Sequence, residues 1–277
     1  MKKRGKIVLL VVMAVLVGAL TYKYTIEGNS SSEDARPFDG KLSNNSQYDE
    51  KEKIHLKILD SIDHFQTAEG EFEEFNKENN STSTVQYVVD TKNKRGISTI
   101  KESGFKEQTV IFKDNKKLTF NDNDNTYREF LWKPLSKDEK LAELSPTKRF
   151  LGKTGNANRI DNEFLGYSAQ SLNSGHASLL LMYEDWDVTE EKLLNFDVYK
   201  LVGNVDEKLS GDLQGKFEMS IEKNSGIVLD FRSFDEGGNV KYYLTTKRIN
   251  IDSDISEESF EKDISKYKKV DKVETNK

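Results

Sequence analysis

The chain has no cysteine and only three histidines among its 277 residues. Without cysteine there is neither a disulfide framework nor a lipidated cysteine, so an exported domain of this sequence must be held by its core alone. His55 and His64 are nine residues apart, about half a turn out of phase at 3.6 residues per turn, which sets them on opposite faces of one helix where they cannot share a metal. His176 follows Gly175 at a helix start, and no histidine has the carboxylate spacing of a metalloprotease. No metal and no other cofactor is expected. Apolar residues are scarce as well, 35% against 32% charged, where about 45–50% and about 25% are usual. That balance implies a modest core and a wet surface.

Acidic residues are missing from the start of the chain. Lys2, Lys3, Arg4, Lys6 and Lys23 are cationic and no acid precedes Glu27. Setting those five aside leaves 37 of the 42 Lys and Arg against 48 Asp and Glu, so residues 27–277 carry −11. Such a body is a poor partner for nucleic acid, which is gripped by cations on its phosphates, and anionic headgroups repel it too. The uncharged run Ile7–Tyr22, sixteen residues between Lys6 and Lys23, is short for a span of about 20, but both lysines can snorkel. The cations before it orient the N-terminus inside, so the chain is expected at the cell membrane, single-pass with its main domain outside. Val17-Gly18-Ala19 is a tolerable cleavage site, and a cleaved chain would be secreted. A lysine-rich, cysteine-free exported chain points to a bacterial source.

Four segments follow: 1–26 as stub and membrane anchor or signal peptide, 27–48 as tether, 49–272 as one extracytoplasmic domain, and 273–277 as tail. The tether, rich in Ser, Asn, Gly and acid, has no apolar period and spans about 25 Å on average as a flexible coil. From Asp49, Ile54, Ile58, Ile62 and Phe65 recur at helical spacing, an amphipathic helix that needs a partner surface. That surface is a sheet. "TVQYVVD" alternates Val85, Tyr87 and Val89, and Lys113-Asp114-Asn115-Lys116 and Asn121–Asn125 are turns between strand-like runs. Residues 133–185 read as helical or irregular, with Ser136 and Glu139 as a capping box, Pro146 opening a helix after Ser145, and a third helix over "SLNSGHASLLLMYEDW". Strands resume from Trp186 and include Phe196–Val202, Leu213–Ile221, Gly226–Phe234 and Asn239–Ile251.

Enzyme-like fragments dissolve on inspection. Ser145–Lys148 fits S-x-x-K and Lys153–Gly155 reads KTG, but Lys153 stands only five positions after Lys148, whereas serine acyl enzymes place the second motif far along the chain. Gly152–Thr154 would need glycine at 147 to cradle phosphate, and threonine stands there. Asp252–Asp263 spaces acids like a calcium loop, yet its sixth position is Glu257 where the turn demands glycine. No nucleophile, base and oxyanion donors cluster, so the chain is not expected to be an enzyme.

The order of these features carries a resemblance. A helix runs straight into a strand in "ILDSIDHFQTAEGEFEEF", a hairpin follows in "VIFKDNKKLTFNDNDNTYRE", and "FEMSIEKNSGIVLDFRSFDEGGNVKYYLTTKRINID" is strand, turn, strand, turn, strand before a closing segment bearing Phe260. From about residue 50 to 272 the chain resembles the LolA/LolB-like lipoprotein-carrier superfamily, which includes sensor domains of envelope-stress regulators. "DTKNKRGIST" lacks the Pro and Phe that the carriers have near their sheet-to-lid arginine, so no functional residue is carried over. The resemblance implies an α+β fold, a strongly curved antiparallel sheet, or incomplete β-barrel, with helices over its concave face. It implies a cavity between sheet and lid for a lipid or a lipoprotein acyl chain. Ile54, Ile58 and Ile62 would line it from the lid; Val85, Tyr87, Val89, Phe112, Phe120, Phe217, Phe231 and Tyr242 would line it from the sheet. The expected function is a membrane-anchored binding protein for such an apolar group. The alternative is a regulatory or protein-interaction domain of the envelope with a closed cavity and an apolar patch outside.

Overall fold

The computed structural model of the chain describes residues 46–105, 107–151 and 159–270. The predicted anchor, nearly all of the tether, the KTG tripeptide and the tail lie outside the described residues. Among the described residues, no helix is long and apolar enough to cross a membrane.

Short alternating runs separated by Asn, Asp and Gly turns build one sheet. β1 (Thr67–Asn76), β2 (Ser81–Asp90), β3 (Arg95–Glu102), β4 (Gln108–Lys113), β5 (Lys116–Asn121) and β6 (Thr126–Leu131) form one up-and-down meander. β7 (Trp186–Leu193), β8 (Phe196–Val205), β9 (Gly215–Glu222), β10 (Val228–Phe234) and β11 (Val240–Ile251) form another. Antiparallel pairing of β1 with β11 fuses the two, and the two-residue β12 (Lys268–Lys269) runs parallel to β6 at one edge. The order is β12-β6-β5-β4-β3-β2-β1-β11-β10-β9-β8-β7, a curved sheet that does not close. Two-residue turns set the tightest hairpins: Asp114 and Asn115, and likewise Leu194 and Asn195, all have positive φ, which matches the twist of the strands they join.

The helical elements are slight. α1 (Ser46–Leu59) starts three residues before Asp49; α2 (Glu139–Ala142), α3 (Pro146–Leu151) and α4 (Ala169–Leu172) are one turn or little more. Two expectations for this region fail. Asp138, not Ser136, caps α2, its carboxylate accepting from the amides of Lys140 and Leu141 at 3.1 and 3.2 Å, as an anion at a helix N-terminus does best. The third helix is instead a 3-10 turn at Gly175–Leu180, followed by another at Tyr183–Asp185. Ser174 is extended there and its hydroxyl accepts from the His176 amide, so the chain turns before an α-helix can propagate. Pro146 does open α3 as expected.

α1 and the strap 159–185 cover the concave face. The convex face is wet along β1 and β11, where Tyr243 donates to Glu73 at 2.6 Å and Asn250 to Glu69 at 2.8 Å. Over β3 to β6 the C-terminal segment covers it instead: Phe260 is buried beneath the Arg95 guanidinium, 4.3 Å from its ring, and Tyr267 packs edge-on against Phe120.

Two glycines show how closely the cover sits. A Cβ on Gly96 of β3 would stand 2.3 Å from the Phe164 carbonyl oxygen of the strap, and one on Gly226 (φ +78°) would stand 2.3 Å from the Lys57 carbonyl oxygen of α1. Backbone cannot retreat the way a side chain tip can. Gly96→Ala is therefore expected to cost about 2–3 kcal/mol, read as a lower denaturation midpoint with an unchanged slope; a neutral result would mean that strap and sheet are not in contact here.

Candidate functional site

Inner-facing side chains follow the alternation of each strand, with one correction by a bulge. Tyr242, Leu244 and Thr246 of β11 face inward; the register then slips between Glu71 and Phe72 of β1, Lys247 is left over, and Ile249 and Ile251 face inward instead. The bulge keeps the inward face of the twelve-residue strand apolar on both sides of Thr246.

Ten of the eleven residues expected to line a cavity come together there. Ile54, Ile58 and Ile62 from the α1 side meet Val85, Tyr87, Val89, Phe112, Phe217 and Phe231, all buried in one cluster, with Tyr242 packed against its margin. Phe120 is not among them. It pairs with Thr109, so it shares the convex face with Ile111 and packs on Tyr127 and Tyr267 under the C-terminal segment. Lys117, opposite Phe112, takes the inward position on β5, its ammonium 5.0 Å from the Phe112 ring and 2.9 Å from Glu163.

Charged groups bind the cover to the sheet. Lys51, 2% exposed, donates to the carbonyl of Tyr183 at 2.7 Å and to that of Trp186, and lies over the Trp186 ring. One turn on, His55 is fully buried, with Nδ1 3.2 Å from the Tyr183 hydroxyl; burial lowers its pKa to about 3, so it is neutral. Beyond α1, Arg149, 1% exposed, grips Asp60 through two bonds of 2.9 and 2.6 Å, and Arg159 holds Asp161 at 2.8 Å and Asp63 at 2.5 Å. Lys94 reaches Asp161 at 3.3 Å and Lys137 reaches Asp63 at 2.8 Å. Burial alone would raise the Asp63 and Asp161 carboxyls, but the Arg159 guanidinium and these lysines hold both below their ordinary range. Asn173 completes the tie by donating to the Leu59 carbonyl at 2.9 Å, satisfying an open end of α1.

Two depressions open at the rims. One of about 470 Å³, at the end of the central strands, is lined by Asn76, Lys77, Glu78, Asp212, Leu213, Asp235, Lys241 and Tyr242. The other, about 390 Å³, lies among Asn115, Leu131, Trp132 and Lys133. Trp132 closes the interior there, edge-on to Phe112 at 5.0 Å and donating to Glu163 at 2.9 Å. No group of three or more His, Cys, Asp or Glu among the described residues is placed to hold a metal; Asp252, first in the calcium-like spacing, spends its carboxylate on the Gln66 amide at 2.6 Å.

No protein-family model matches the chain, and no curated protein matches it. Among solved structures, an uncharacterized conserved protein of Thermus thermophilus is similar at 10% identity and a TM-score of 0.42, over 79% of this chain and 97% of that one. MucB in the Pseudomonas aeruginosa MucA/MucB complex is similar at 11% and 0.42, over 77% of this chain and 61% of that one. The Mycobacterium tuberculosis lipoprotein LppX is similar at 8% and 0.39, over 75% and 98%.

Two outcomes follow. Removing one partner of a buried ion pair leaves the other unsolvated, so Arg149→Met is expected to cost about 3–5 kcal/mol and Arg149→Met with Asp60→Leu markedly less; a double-variant loss equal to the sum of the Arg149→Met and Asp60→Leu losses would show that the pair is not coupled. His55 takes up its proton near 6.5 in the unfolded chain and near 3 in the folded one. Between those values the unfolded state binds more protons, so stability falls as the pH is lowered, by at most about 1.4 kcal/mol per pH unit. His55→Gln should flatten that slope between about pH 6.5 and 5 in denaturant titrations, and an unchanged slope would place the titrating group elsewhere.

Proposed function

We propose that the chain is a non-catalytic domain of the bacterial cell envelope, held outside the membrane by its N-terminal segment, that works by docking another envelope protein. The observation that carries this reading is the closed interior: the side chains that would line a lipid cavity pack on one another, and α1 and the strap are bound down by Lys51, Arg149 and Arg159. Large apolar side chains stand outside instead. Leu131 is 95% exposed, Leu135 and Ile160 are also exposed, and Leu131 and Trp132 line the smaller depression.

A second reading, a half-barrel that opens around a lipid or lipoprotein acyl chain, is favoured by two buried hydroxyls. Tyr87 Oη and Thr246 Oγ1 have no hydrogen-bond partner, and both are on inward-facing positions of β2 and β11. Groups of this kind cost stability unless something occupies them.

The test is native mass spectrometry of the full chain from a bacterial envelope, before and after organic extraction, combined with photo-crosslinking from position 131. An apo mass with a single protein adduct, abolished by Trp132→Ala, supports docking. A lipid-sized mass that is lost on extraction, with no adduct, moves the assignment to the second reading.

A further inference from the structure

The two edges of the sheet are finished differently. At β7 every exposed side chain is polar, namely Asp187, Thr189, Glu190, Glu191 and Lys192, which is how an unpaired edge is kept from recruiting another strand. At β6 the edge is covered only in part. The Lys268 amide donates to the Asn125 carbonyl and the Val270 amide to the Tyr127 carbonyl, both at 2.9 Å, and the ladder with β12 ends there. Backbone groups alternate in direction along an antiparallel strand, so beyond Tyr127 the N–H and C=O of Glu129 and Leu131 also point away from β5. Among the described residues no strand meets them, and Leu131, the last residue of β6, is 95% exposed.

The charge of this edge is opposite to that of the domain. β6, β12 and the two residues after β6 carry Arg128, Lys133, Lys268 and Lys269 against one carboxylate, Glu129, in a chain whose residues 27–277 sum to −11. Glu129 is already neutralised by Lys116 at 3.0 Å and Lys269 at 2.7 Å. Arg128 and Lys133 are exposed and have no ion-pair partner among the described residues. An open backbone edge fits an extended chain, surplus cations fit acidic side chains on it, and Leu131 with the depression beside it fits an apolar one.

We propose that the partner adds an acidic, extended segment to β6 as a further strand in line with β12, bonding to the backbone of Glu129 and Leu131 and packing an apolar side chain on Leu131. The inference rests on the docking reading and specifies its partner. A second copy of this chain fits less well, since the same cations would then face each other. Residues 271–277, with two acids and two lysines, bring no net charge to the edge.

The experiment uses the full chain in neutral maltoside micelles and three peptides blocked at both ends: TEVEVET, its charge-reversed form TKVKVKT, and TEVEVET N-methylated at its three central residues, which keeps the charge and removes backbone donors. Fluorescence anisotropy should show saturable binding of unmodified TEVEVET alone. Amide exchange at Glu129 and Leu131, followed by NMR and fast in the free chain, should slow at least about tenfold in the complex. Arg128→Gln/Lys133→Gln should weaken binding at least about threefold. Leu131→Pro, which removes an outward N–H that pairing with β5 does not use, should abolish it. Equal binding of TKVKVKT or of the N-methylated peptide, or unchanged exchange at these two amides, overturns the proposal. So does slow exchange there in the free chain: if independent of concentration it assigns the edge to residues 271–277, and if lost on dilution to a second copy. A protein adduct from position 131 without TEVEVET binding overturns strand addition and leaves docking standing, whereas neither adduct nor binding overturns both.

Discussion

Everything in this fold depends on β1 finding β11. The two strands lie more than 160 residues apart, and each of the meanders they join is local, built from hairpins with short turns. Neither meander alone surrounds an interior, and only their fusion makes a sheet wide enough to curve over α1. Such a long-range pairing must bear its loop-closure entropy before it is rewarded, so it has to be specified strongly. The specification is visible on both faces: Phe72, Leu244 and Thr246 within, and Glu73 with Tyr243 and Lys247 without. The bulge at Lys247 then reconciles a long strand with a curved sheet, which one uninterrupted alternation would not.

Much of this architecture was legible in the chain, and the places where it was not have identifiable causes. Hairpins announced themselves through Asp114-Asn115, Asn224-Ser225-Gly226 and Gly237-Gly238, since those residues tolerate the backbone that a tight turn imposes. Ile54, Ile58 and Ile62 announced the face of α1. Phe120 was misassigned to the interior although the signal was present: a two-residue turn at 114–115 pairs Lys113 with Lys116, which puts Phe120 on the face of Ile111 and not that of Phe112. Register, not hydrophobicity, decides the face of a strand residue.

The buried charges were invisible for a different reason. In the sequence Lys51 and His55 are simply polar residues within an amphipathic helix, and Arg149 is one more cation in a lysine-rich chain. Their burial depends on carbonyls of Tyr183 and Trp186 for Lys51, on the Tyr183 hydroxyl for His55 and on the carboxylate of Asp60 for Arg149, 89 to 135 positions away. No local pattern encodes that. The strap escaped prediction similarly, because "SLNSGHASLLL" has helical hydrophobicity while Asn173 and Ser174 spend their side chains on the Leu59 carbonyl and the His176 amide, which stops the helix.

Fastening a cover with ions has a consequence for how it opens. An apolar lid that lifts exposes its surface to water at about 25 cal/mol per Å² and regains nothing. Lifting α1 also rehydrates the Lys51 ammonium, and moving α3 rehydrates the Arg149 guanidinium and the Asp60 carboxylate, groups whose desolvation largely cancels their mutual attraction while the cover is shut. The ties therefore fix where α1 sits more than how tightly it sits. The same ions that hold the interior closed in one orientation lower the cost of leaving it, so the resistance to opening comes chiefly from Ile54, Ile58 and Ile62 against the sheet.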